Sequence, residues 1–233
     1  MSARSAAAAL LGTTLSVASG ARAEVFELSA GVVAAAGVQG QSAPAPARYT
    51  LPRSGANVVE PAYQGAAFGA GIALEGRVAS VVALGVEALA VSDGLNGELR
   101  RGAERADVAI RTPALHVPIY LKAVWPLPAV SPFALAGAEL VLPGLSKVEI
   151  EGAPHRAVAS ADPYTLFLLG AGAELSLAAL GPIRPQASLR FAIRPGAPEA
   201  LDERVVVLPS DAVVYDAAPG YQLQLALGAS YVF

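Results

Sequence analysis

From Tyr221 to Phe233 every odd position is apolar (Tyr221, Leu223, Leu225, Leu227, Ala229, Tyr231, Phe233), and Gln222, Gln224, Ala226, Gly228, Ser230 and Val232 stand between them. A period of two puts each set on its own face of a strand, so one side suits hydrocarbon and the other does not. Similar segments, bounded by Gly, Pro, Asn and Asp, recur along the chain and predict eight strands: roughly 25–39, 63–75, 78–91, 108–124, 132–142, 164–177, 184–194 and 221–233. Three faces separate cleanly. In 184–194, Ala187, Leu189, Phe191 and Ile193 oppose Gln186, Ser188 and Arg190; in 108–124, Leu115, Val117, Ile119, Leu121 and Ala123 oppose His116, Tyr120 and Lys122; in 164–177, Phe167, Leu169, Ala171, Ala173, Leu175 and Leu177 oppose Gly170, Gly172, Glu174 and Ser176. Both faces of 78–91 and 132–142 are largely apolar, so Glu87 and Glu139 are turned inward only because a charge in lipid is costly.

The connections alternate in length: long at 41–62, tight at 75–78, long at 92–107, shorter at 125–131, long at 143–163, short at 178–183, long at 195–220. An even strand count with short turns on one side and four long loops on the other is the plan of an all-β, eight-stranded, antiparallel up-and-down transmembrane β-barrel. Two residues strain it. Arg111 falls on the lipid side if its strand begins at 108, so the strand starts later or the side chain reaches the outer rim. Pro118 sits mid-strand at inward parity and, lacking an N–H, predicts a bulge or a broken pairing.

Composition sharpens this picture. The chain of 233 residues is 54% hydrophobic and 15% charged, with mean hydropathy +0.50. Uncharged stretches such as 123–138 and 28–47 are nonetheless broken by Pro, Gly and Gln, short of the roughly 20 apolar residues a spanning helix needs. In lipid only helices and closed barrels satisfy every backbone polar group, which leaves the barrel. Residues 1–23 are set apart: Arg4, an Ala/Leu-rich stretch from Ala6 to Leu15, and Ala21-Arg22-Ala23 form a signal-peptide pattern with cleavage expected after Ala23, leaving 24–233 as the barrel domain. Loss of Arg4 and Arg22 takes the net charge from −3 to −5, which offers nothing to nucleic acid. The absence of cysteine excludes disulfides and thiolate metal sites. Aromatics are sparse at 6%; Phe26, Trp125, Tyr231 and Phe233 are expected at the periplasmic rim, Tyr63 and Tyr221 at the outer one.

On these residues the chain resembles the small outer-membrane β-barrel proteins of the porin-family or OmpX-like kind. Leu115-His116-Val117-Pro118-Ile119-Tyr120-Leu121-Lys122 is similar to that family's hydrophobic-x-hydrophobic-Pro-hydrophobic-x-x-Lys strand, and Pro132-Phe133-Ala134-Leu135-Ala136-Gly137 follows it. Gly170-Ala171-Gly172-Ala173-Glu174-Leu175, Ser188-Leu189-Arg190-Phe191 and the closing Leu227-Gly228-Ala229-Ser230-Tyr231-Val232-Phe233 extend the similarity over residues 24–233. The strands are richer in Ala and poorer in Tyr and Phe than the family's. The resemblance implies a fold and a Gram-negative outer-membrane location, with Tyr231 and Phe233 as the assembly signal read by the barrel assembly machinery; it implies no catalytic set.

The candidate constellation is the inward set Glu87, Lys122, Glu139, Glu174 and Arg190. The interior of eight strands is only wide enough for side chains, so these charges are expected to pair as a plug. The alternatives are a small porin with a narrow ion path lined by the same residues, or a lipid-modifying hydrolase using His155, near Glu149, Glu151 and Asp162, or His116. Two isolated histidines make no metal site, and Gly69-Ala70-Gly71 and Gly170-Ala171-Gly172 lie within strands, where no phosphate loop is expected. The last loop holds Glu199, Asp202, Glu203, Asp211 and Asp216 against Arg204, a solvated face or a cation bridge to anionic lipopolysaccharide. The sequence thus reads as a cofactor-free, monomeric structural or surface-interaction barrel whose partners are outer-membrane lipid, lipopolysaccharide and the assembly machinery.

Overall fold

The computed structural model describes residues 26–41, 47–50, 57–60, 63–101, 104–150, 157–159, 162–176, 178–195, 205–207, 213–215 and 219–233. Eight long strands carry the fold: β1 (Phe26–Gly40), β2 (Gln64–Val78), β3 (Val82–Arg101), β4 (Glu104–Val124), β5 (Val130–Pro143), β6 (Tyr164–Leu175), β7 (Ile183–Ile193) and β8 (Tyr221–Val232). Each pairs antiparallel with the next, and β1 pairs with β8 from Ser29↔Val232 to Gly40↔Tyr221, so the sheet closes without an edge. The expected signal segment 1–23 lies outside the described residues.

Alternation decides the faces. Val32, Phe68, Ile72, Leu121, Leu169 and Leu189 lie outside, each 56–64% exposed, while their sequence neighbours turn inward. A soluble protein does not present such a continuous belt of large apolar side chains to water. Closure gives the inner residues a shared centre, where apolar clusters around Leu166, Leu168 and Phe133, and around Val33, Leu89 and Ala226, pack beside the polar groups.

The first turn lies later than the sequence suggests. The chain reverses at 79–81 instead of 75–78: Val78 pairs with Val82, the Val81 N–H donates to the Val78 carbonyl over 3.2 Å, and Ala79 and Ser80 both take positive φ, 51° and 60°. Two successive left-handed residues match the twist of a two-stranded ribbon, a geometry usually marked by Asn-Gly. Glu75-Gly76-Arg77 resembles a turn only in composition, and its charges are in fact strand positions facing the lumen.

The expected long loop 92–107 is instead a β-ribbon, for β3 and β4 stay paired up to Arg101↔Glu104. The neighbouring wall ends lower, at Gln64↔Asn96 on one side and Ala114↔Pro143 on the other. Above it a short strand, Ser146–Ile150, joins β4 through Val108↔Ile150 and Arg111↔Lys147. Arg111 is therefore exposed beyond the rim and makes no demand on lipid. Pro118 breaks the ladder without a bulge: pairing with β3 lapses opposite Glu87 and Ala88 and resumes in the same register at Leu89↔His116, while the β5 side continues through Pro118↔Glu139. A missing N–H removes the bond but need not shift the strand.

The charged lumen as candidate functional site

Strand β4 organises the interior, because its inward positions Lys122, Tyr120 and His116 each anchor one polar tier. Lowest, at the turn end, Lys122 Nζ donates to Glu75 Oε2 (2.9 Å), Glu174 Oε2 (3.1 Å) and Gln186 Oε1 (3.1 Å), and rests 4.3 Å from the centre of the Phe133 ring. Arg77 grips Glu174 through both terminal nitrogens, at 2.6 and 2.7 Å, and reaches Glu75 at 2.7 Å. Glu27 is clamped by both terminal nitrogens of Arg184 and lies 4.0 Å from Arg77 Nε. Three carboxylates thus meet three bases. Burying an ion costs several kcal/mol unless a partner compensates it, and here every ion has one.

In the middle tier, Arg190 meets Glu87 by two parallel bonds of 2.7 and 2.8 Å, the planar fork that matches a carboxylate. The Tyr120 hydroxyl donates to Glu87 Oε1 (2.8 Å), and Arg190 Nε donates to Ser188 Oγ (3.0 Å). Gly85 makes room for this: a Cβ there would lie 2.4 Å from the Tyr120 ring. The lapse in pairing at Pro118 falls beside Glu87, so local irregularity and the buried pair share one level of the wall.

The upper tier differs. His116 lies between two acids, Nδ1 against Glu139 Oε1 and Nε2 against Asp93 Oδ2 at 3.0 Å. The second oxygens, Asp93 Oδ1 and Glu139 Oε2, are buried and make no hydrogen bond. Beside Glu139 a cavity of about 10 Å³ is bordered by His116, Glu139 and Gln224 and otherwise by apolar residues of β1, β2 and β3. An amide relay runs away from it, Gln224 donating to Gln222 (2.8 Å), Gln222 to Gln39 (3.0 Å) and Gln39 to the Gly94 carbonyl (3.3 Å). With both imidazole nitrogens facing carboxylates, His116 has none left for a serine.

A closed antiparallel wall, apolar on the outside and ionised within, satisfies the two demands of a bilayer at once. The chain is a closed eight-stranded β-barrel of the transmembrane type. No protein-family model matches its sequence, and no curated protein does. Among solved structures the barrel is similar to Ail, the attachment invasion locus protein of Yersinia pestis (15% identity, 89% of this chain and 97% of that one, TM-score 0.38). It is also similar to Neisserial surface protein A (11%, 88% and 96%, TM-score 0.40) and to the outer membrane protein OprG from Pseudomonas aeruginosa (12%, 89% and 95%, TM-score 0.44). The architecture of the barrel rests on its own register and faces.

The barrel brings the five charges named from sequence into its lumen but divides them among tiers: Lys122 with Glu174, Glu87 with Arg190, and Glu139 with His116. Glu27, Glu75, Arg77, Asp93 and Arg184 complete the network and were not named. Parity carried past Ala73 reaches Glu75, the last position of the expected strand, and then Arg77, and parity carried past Glu87 finds Asp93; strand limits set too short hid Arg77 and Asp93. At the turn end Phe26, Trp125, Tyr231 and Phe233 are exposed, the last two rings 5.3 Å apart edge to face. Tyr63 departs from its expected place on the outer rim. It is 1% exposed and turned inward, its ring against Gly97, where a Cβ would come within 2.5 Å, because it shares parity with the inward Ala67. Tyr221 is half-buried. Among the described residues no group of three acids, histidines or cysteines forms a metal site. His155 and the acids Glu199, Asp202, Glu203, Asp211 and Asp216 lie outside the described residues.

Proposed function

We propose that this barrel resides in a Gram-negative outer membrane, exported with a cleaved leader, and serves a structural or surface-interaction role while its lumen stays shut. The observation that carries the reading is the lower tier, where Glu75 and Glu174 share Arg77 and Lys122 across the interior. Side chains from β2, β4 and β6 meet there, so an ion would have to separate paired charges to pass. On this reading interaction belongs to the ribbon above the rim and the loops around it, with lipid and lipopolysaccharide as the surroundings, and Tyr231 and Phe233 present the exposed terminal rings that the assembly machinery reads.

Planar-bilayer recording tests the proposal. The wild-type barrel is expected to show no steady conductance, and the double substitution Arg77→Ala with Lys122→Ala is expected to open one. Steady ion flow through the wild type would replace the plug with the porin alternative.

A further inference from the structure

On the outer face, above the hydrocarbon belt, two bases stand directly opposite one another. Arg111 on β4 pairs with Lys147 on the short antiparallel strand Ser146–Ile150, so their Cβ atoms leave the same side of the sheet about 5 Å apart. Like charges in that relation repel. Both side chains are exposed, and among the described residues neither takes part in a salt bridge. The acids of the same face, Glu98, Asp107 and Glu149, border a hollow further from the belt, where Glu98 meets Arg105 at 3.8 Å.

The juxtaposition is enforced from the opposite face of the sheet. Thr112 and Ser146, one position along in the same register, share a buried hydrogen bond of 2.7 Å between their hydroxyls, and the paired Ile110 and Val148 are buried on the other side of the two bases. The Gly144 N–H donates to the Pro113 carbonyl over 2.7 Å and so turns the chain back onto β4. A slip of one residue would turn Ser146 and Val148 out of this buried face, so the bases cannot part by sliding. The other strand neighbour of Arg111 is Gly94, which has no side chain to fill the space beside it.

Below the pair the wall is apolar, with Leu115, Leu142 and Leu145 all exposed. Arg111 stands four residues beyond Leu115. That separation is about 13 Å along a strand tilted by roughly 40°, hence about 10 Å along the membrane normal. The polar layer of a phospholipid leaflet is only about 5–7 Å deep, so the pair fits a lipid whose anionic groups stand further out, a phosphorylated glycolipid. We propose that Arg111 and Lys147 together bind a phosphate group of lipopolysaccharide on the outer wall of the barrel. The inference rests on the outer-membrane placement proposed above and names the group that this lipid presents to the protein. The phosphate supplies the negative charge that lets the two bases lie side by side, the guanidinium meeting it as a planar fork and the ammonium as a point charge.

The test is native mass spectrometry of the barrel refolded in zwitterionic micelles and titrated with lipid A, the glycolipid anchor of lipopolysaccharide, either with its phosphates or after their removal. The wild type is expected to bind the phosphorylated form about tenfold more tightly, and Arg111→Gln with Lys147→Gln should erase that preference. Arg105→Gln, at an exposed position on the same face of β4, should keep it, and inorganic phosphate should not displace the lipid. Lys147→Glu sets an acid opposite Arg111, so it should abolish the preference while raising the heat-unfolding midpoint. Equal affinity of the wild type for the two lipids, an undiminished preference in the double variant or in Lys147→Glu, or displacement by inorganic phosphate would overturn the proposal. Flotation with phosphatidylcholine vesicles free of lipid A scores the membrane placement separately. A barrel that floats without the preference loses only the phosphate contact, and one that fails to float loses both.

Discussion

Arg77 on β2 and Glu174 on β6, 97 positions apart in the chain, meet through two bonds of 2.6 and 2.7 Å. Their strands are not neighbours in the wall, so the pair crosses the interior and ties opposite sides of the barrel together. Glu174 also accepts from Lys122, and its removal leaves two buried cations short of a partner. Glu174→Ala is expected to lower stability by about 3–5 kcal/mol. Urea titration in vesicles, followed by fluorescence of Trp125, the single tryptophan, measures it; an unchanged midpoint would mean the lower tier carries no weight.

The middle tier predicts coupling between two residues that no local signal connects. Glu87 and Arg190 share two hydrogen bonds, so Glu87→Gln, Arg190→Met and the double variant should give a coupling energy of about 2 kcal/mol, near the upper part of the range for contacting charges. Tyr120→Phe should cost about 1.5 kcal/mol more modestly, since Glu87 keeps Arg190 when it loses the hydroxyl. Additive effects of the charge substitutions would contradict the pairing.

At the first turn, Ala79 and Ser80 hold positive φ without the residues that favour it. Replacing them with Asn-Gly is expected to stabilise the barrel by about 1 kcal/mol and to speed closure of the β2–β3 hairpin. A destabilised variant would show that the reversal lies elsewhere.

Lipid contact distinguishes two positions on the same strand. Leu121 is 60% exposed on the belt, so Leu121→Arg should cost about 2–4 kcal/mol if it lies near the midplane. Arg111, beyond the wall, should tolerate Arg111→Leu with a change under about 0.5 kcal/mol. Equal costs at the two sites would place β4 wrongly in the bilayer.

The wall was legible because alternation states which side of a strand is inside: it located eight strands, the clean faces of β4, β6 and β7, and the inward charges Lys122, Glu174 and Arg190, whereas Glu87 and Glu139 were turned inward by the cost of a charge in lipid. Two kinds of information were hidden. The turn at Ala79-Ser80 carries no Gly or Asn, so charge and Gly76 drew the boundary to the wrong place, which put Glu75 at its edge and took Arg77 out of the strand. The ribbon of β3 and β4 continues through Ser92, Asp93, Gly94 and Asn96, residues that read as a loop, because cross-strand pairing and not composition holds it. Which charge meets which depends on the register of non-neighbouring strands, and no local pattern encodes that. His116 was visible at inward parity, but its two carboxylates come from β3 and β5.

Lipid on the outside and ions within is the claim beneath the rest, and the accessibility of single spin labels measures it most directly. Nitroxides placed singly at Leu121, Leu169 and Leu189 should collide freely with dissolved oxygen and scarcely with a water-soluble nickel chelate. Labels at Arg111 and Asp162 should show the reverse. Ready access of the nickel chelate to Leu121, Leu169 and Leu189 in the vesicle-bound protein would contradict the account.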